Sequence, residues 1–115
     1  MVIFESEQDI IEKLDIHDQL VRDCVSGKLE FWKFCEEYNN FFNHYALDGH
    51  EADNEELALI KKYEQRILLH EKVAEEVLGK VCPDEDATKP DYIKCGRFGS
   101  KVAVKKLSVI AGKNA

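Results

Sequence analysis

Long apolar runs are missing from this 115-residue chain. No uninterrupted one exceeds the length of Met1-Val2-Ile3-Phe4, too short for a membrane-spanning helix. Turn residues are also sparse. Two prolines and six glycines argue against a sandwich of many short strands, while an apolar fraction of 44% is too high for a disordered chain. No two of the four cysteines have the C-x-x-C spacing of a structural zinc site or a redox motif. The chain turns acidic at Glu5, without a basic n-region or an apolar h-region, which predicts no export signal. A cytoplasmic protein with reduced thiols is therefore expected. There is no H-E-x-x-H, no Glu-x-x-His, no Gly-rich phosphate loop, no nucleophile elbow and no triad pattern. No cofactor, no metal and no enzymatic activity is predicted.

Acidic residues are absent after Asp91, where Lys94, Arg97, Lys101, Lys105, Lys106 and Lys113 contribute six positive charges. The overall net charge of −7 thus hides a body of 93 residues with 10 basic and 23 acidic side chains, a balance of −13. Such a body repels nucleic-acid phosphate and attracts basic surfaces, including those that themselves bind nucleic acid. Direct binding to nucleic acid or membrane is not expected. The plainest account of so much acid is a solvated surface that keeps the protein soluble.

What is present is helical periodicity. Ser6, with Asp9 three residues on, marks a helix start, and Ile10, Leu14, His17, Val21 and Cys24 follow at steps of three and four. Gly27 supplies the stop, and residues 15–18 are a possible break. Residues 29–47 carry Phe31, Phe34, Cys35, Tyr38, Phe41, Phe42 and Tyr45 along one side, predicting a second, aromatic helix. After a polar loop, Asn54 caps a long helix with Ile60, Tyr63, Ile67, His70, Ala74 and Val77 on one face, ended by Gly79 and Pro83. Residues 82–99 read as loop. Ser100 caps a last helix whose Ala103, Leu107 and Ile110 face inward, although Val102 and Val104 also allow a short strand over residues 101–105. The prediction is an all-α fold: one domain over residues 1–115, four to five helices packed as a bundle, monomeric when free. Its core should draw on Leu14, Leu20, Val21, Phe31, Phe34, Tyr38, Phe41, Ile60, Ile67, Ala74 and Leu107.

Three constellations invite chemistry. The aromatic stripe lacks the interleaved basic residues that base stacking needs, since Glu30, Glu36 and Glu37 outnumber Lys33, so it predicts core packing with Trp32 and Tyr45 partly exposed. His44 and His50 flank an acidic loop of five carboxylates within residues 48–56, but its spacing lacks the EF-hand frame. His70 lies on the inward face of the long helix, where a hydrogen-bonded core histidine is the expectation. The third is Asp84-Glu85-Asp86, on a turn stiffened by Pro83 at the end of the longest helix. Projecting carboxylates of this kind can occupy a partner's anion-binding cleft in place of phosphate.

Two stretches carry a family resemblance. The first is Leu20-Val-Arg-Asp-Cys-Val-Ser-Gly-Lys-Leu-Glu-Phe-Trp-Lys-Phe34, a helix end, a small-residue turn and an aromatic helix start. The second is Cys82-Pro-Asp-Glu-Asp-Ala87, followed by Tyr92-Ile93, Gly96 or Gly99, and a Val-rich segment to Leu107. Together they resemble the colicin-D-type bacterial immunity proteins, small acidic helical inhibitors of a cognate toxin. Cys82 stands where the family has an acid before the proline. The resemblance implies an immunity protein that binds a basic RNase or tRNase toxin domain and blocks its active site with acidic side chains. Asp84 is the residue carried over by position, with Asp86 as neighbour and Glu85, Glu75 and Glu76 as further partner-binding candidates. Two other accounts remain open: a helical protein–protein adaptor, or a helical bundle whose metal or enzymatic site assembles only in three dimensions.

Overall fold

A computed structural model describes residues 4–50 and 52–113, so Glu51 of the acidic loop lies outside the described residues. Helix α1 spans Glu7–Val25, α2 Phe31–Tyr38, α3 Phe41–His44, α4 Asn54–Lys62 and α5 Glu64–Lys72. The last of these runs on as a π-helical turn, Val73–Leu78, and is followed by α6 (Pro90–Lys94) and α7 (Ser100–Lys113). With 54–78 counted as one helix there are six helices among the described residues, where four or five were expected. The only β feature among the described residues is an isolated parallel bridge between Val81 and Phe98.

Local chemistry accounts for these boundaries. The Ser6 side chain accepts from the Asp9 N–H, and α1 then runs unbroken through Asp15 and Asp18 because its buried stripe of Ile10, Leu14, Val21 and Cys24 holds it to the core. The aromatic stretch is split. Asn39 and Asn40 both adopt the left-handed region, at φ 50° and 44°, and separate α2 from α3. Asparagine tolerates that conformation better than other residues bearing a Cβ, so the chain turns without releasing Tyr38 or Phe41 from the core. Helix α4 begins with a capping box one residue earlier than the sequence implies: Asp53 accepts from the Glu56 N–H at 2.9 Å, and the Glu56 carboxylate accepts in return from the Asp53 N–H. Residues 101–105 are helix, not strand.

The buried apolar side chains form one contiguous cluster. Helix α1 packs on α2 and α7, and α7 also contacts the π turn. Nine of the eleven expected core residues are buried, and Leu20 and Ile60 pack against the cluster partly buried. Phe34 stacks on Tyr38 at 4.8 Å, and the His17 ring lies flat on Phe41 at 3.9 Å. Trp32 and Tyr45 are partly exposed, as the stripe predicts.

Candidate functional site

The acidic turn sits on a segment that is closed at both ends. The Cys82 N–H bonds to the Phe98 carbonyl at 2.8 Å, and the Phe98 N–H to the Lys80 carbonyl at 3.4 Å, so residues 82–98 leave and rejoin the body at one point. Within it, the Asp86 N–H donates to the Pro83 carbonyl at 2.9 Å and tightens the turn. Pro90 then occupies the first turn of α6, where its missing N–H leaves no intrahelical bond unmade.

Asp84 is exposed, yet its carboxylate is engaged within the chain. Oδ1 accepts from the Ser100 N–H at 2.7 Å, while Oδ2 accepts from the Ser100 hydroxyl at 2.9 Å and the Trp32 indole N–H at 3.0 Å. It thus satisfies an N–H at the start of α7, the capping role expected of Ser100, and ties that helix to the aromatic α2. These bonds, the Ser100 N–H foremost and then the indole, hold the Asp84 carboxyl below the usual carboxylate range. Gly99 makes the approach possible: a Cβ there would lie 2.6 Å from Asp84 Oδ1 and 3.1 Å from the Ala87 Cβ.

The other candidates are placed differently. Asp86 pairs with Lys89 at 2.5 Å. Glu85 is exposed, forms no ion pair or hydrogen bond among the described residues, and borders a cleft of about 420 Å³ with Trp32 and Pro83. Glu75 and Glu76 project from the π turn. There the Gly79 N–H reaches back five residues to the Ala74 carbonyl at 2.9 Å, and Val73, Ala74 and Val77 all stay buried. Glu76 lines a separate groove beside Lys72, Lys105 and Lys106 of the α5–α7 flank. The structure therefore brings Asp84, Glu85 and Asp86 onto one turn and sets Glu76 apart on another surface.

No protein-family model, curated protein or solved structure matches the chain.

A second polar assembly escaped the sequence. His70 is fully buried, and its Nε2 lies 2.7 Å from Asp18, a carboxylate that also accepts from Arg66 at 2.6 Å. Because the carboxylate can only accept, Nε2 carries a proton, and Nδ1 at the other end of the ring shares a hydrogen bond with the Tyr38 hydroxyl at 2.5 Å. Burial alone would raise the Asp18 carboxyl, but the bonds from His70 and Arg66 outweigh it and the carboxyl lies below its ordinary value. Burial pushes the Tyr38 hydroxyl upward. None of these four side chains lines a cleft described above, and the chain of bonds crosses α1, α2 and α5, which gives it a structural part: it fixes how three helices meet. His44 and His50 are peripheral. His50 pairs with Asp48, and His44 contacts Asn39 at 3.4 Å. Among the described residues no three His, Cys, Asp or Glu side chains converge as metal ligands. All four cysteines are free thiols, Cys24 and Cys82 buried, Cys95 exposed.

Proposed function

We propose that this chain is an immunity-type inhibitor that binds a basic nuclease toxin domain and sets carboxylates into its anion-binding cleft. The observation that carries this is the acidic turn: a Pro-stiffened loop, clamped at both ends, that presents Glu85 and Asp86 from a body carrying a −13 charge balance. The resemblance to colicin-D-type immunity proteins supports the same conclusion. Within the turn the roles divide. Asp84, held by three donors, shapes the loop. Glu85 is the unengaged carboxylate, and Asp86 reaches a partner cation by exchanging its exposed Lys89. Glu75 and Glu76 add negative potential that speeds encounter. The partner is thus a protein, with no cofactor involved.

The test is protection of cells that express the C-terminal domain of the toxin encoded next to this gene, with binding measured at low and moderate salt. Reversing Glu85 and Asp86 together to Lys is expected to abolish protection and lower affinity by about 30- to 5,000-fold, the equivalent of about 2–5 kcal/mol for buried charge pairs, while leaving the far-ultraviolet spectrum unchanged. Reversing Glu5, far along the sequence, should at most slow association. Full protection by the doubly reversed protein would refute carboxylate mimicry. Absence of a neighbouring toxin and of any basic partner would favour the adaptor account, which has its own support in the apolar groove beside Leu57 and Leu68.

A further inference from the structure

Four of the six exposed large apolar side chains among the described residues fall into two adjacent grooves: Leu57 and Leu68 in one, Val102 and Val109 in the other. The first, about 520 Å³, is floored by Phe42, Leu47 and Ile67 and rimmed by Asp48, Glu64 and Glu71 against a single Lys61. The second, about 500 Å³, is rimmed by Lys72, Lys105 and Lys106 against a single Glu76. Both flank α5 and its continuation, since Glu71 lines one and its neighbour Lys72 the other. The face centred on α5 therefore carries an acidic-rimmed groove on one side and a basic-rimmed groove on the other, each holding two exposed apolar side chains.

We propose that this face is the interface of a two-fold dimer, in which the acidic groove of each copy receives the outer face of α7 from the other. Val102, Lys105, Lys106 and Val109 stand at i, i+3, i+4 and i+7, so they form one stripe along α7, two valines enclosing two lysines. Glu64 and Glu71 are also seven residues apart, giving stripe and rim the same length, about 10 Å at the α-helical rise. The charges match only when unlike halves meet, which a two-fold axis does twice at once and which seals the association at two copies. A face that repels itself in the direct overlay and attracts itself in the rotated one also sets its own register. The dimer replaces the monomer expected from the sequence. It is independent of the inhibitor function, because none of the residues altered below belongs to the acidic turn.

Sedimentation of the full chain over a concentration series tests this. The wild type is expected to pass from monomer to dimer mass between about 1 µM and 1 mM, with the midpoint moving up roughly tenfold when salt rises from about 0.05 to 0.5 M. Glu64→Lys with Glu71→Lys, and separately Lys105→Glu with Lys106→Glu, should each give monomers with unchanged helical spectra. Mixed in equal amounts, the two variants should recover dimer mass, because each reversed half then meets its complement. A wild type that stays monomeric at about 1 mM overturns the proposal. So does mass that grows beyond two copies, or a mixture that fails to recover the dimer.

Discussion

Tyr38→Phe and Asp18→Ala, made singly and together, probe the buried Tyr38–His70–Asp18 chain where its energetics are clearest. Removing the Asp18 carboxylate strands the His70 Nε2–H in a site with no solvent access, and Arg66 is left with Asp15, at 2.9 Å, as its partner among the described residues. An orphaned buried donor costs about 1–3 kcal/mol. Removing the Tyr38 hydroxyl leaves Nδ1 bare at the opposite end of the ring, a loss in the same range. The two should not add. Without Asp18 the imidazole is free to change tautomer or turn, so the hydroxyl it then loses is worth less, and a coupling of about 0.5–3 kcal/mol is expected. Urea unfolding followed by helical circular dichroism and by the fluorescence of Trp32, the sole tryptophan, measures all four corners of the cycle. Each kcal/mol should also appear as roughly 4 °C in Tm for a chain of this size. Single losses below about 0.5 kcal/mol, or strictly additive ones, would refute the claim that one connected set of bonds fixes these three helices.

Phe34→Ala, which empties a fully buried site beside Tyr38, should destabilise by about 3–5 kcal/mol in the same urea assay. Burial, more than any charge, holds the His17 imidazole below its ordinary value, so the unfolded chain takes up this proton first. The His17 contribution is therefore complete above about pH 6.5 and declines as pH falls toward the folded value; the urea midpoint should drop between about pH 7.5 and 5.5, and less steeply in His17→Phe. Cys24 and Cys35 have thiols pushed up to about 11 by burial, so iodoacetamide at mildly alkaline pH should modify exposed Cys95 first and all four only after unfolding. Gly99→Ala should displace the Asp84 carboxylate, lower Tm and shift Trp32 emission, and should lower Tm little further once Asp84→Ala is present.

The helical class and most of the core were legible because both follow from spacing along the chain. Phe31, Phe34, Tyr38 and Phe41 fall on one side at steps of three and four, and that is where they are buried. The same regularity concealed the break at Asn39 and Asn40, since the aromatic pattern continues across it and only the pair of asparagines marks the turn. Pro90 was a usable signal for α6, as proline at a first helical position is, but five residues are too few to show a period. His70 was expected to be a hydrogen-bonded core residue and is one. Its partners lie 52 and 32 residues away, beyond anything local pattern can supply. The acidic turn was visible in composition, whereas the task of Asp84 was not: its donors come from Trp32 and Ser100, which only the fold brings together.

The clamp between Val81 and Phe98 has a consequence for how this protein can change. Two short contacts fix where residues 82–98 begin and end, and the helices beneath them meet without the tip of that segment. Lengthening a loop whose ends are already pinned adds little closure entropy, about 0.6 kcal/mol for each doubling. Between Glu85 and Gly96, charge, length and sequence are thus nearly free variables, while Asp84, Gly99 and Ser100 are not. Exchanging that stretch should change which cations the molecule meets without disturbing the bundle that carries it, so recognition and folding can drift at separate rates within one small chain.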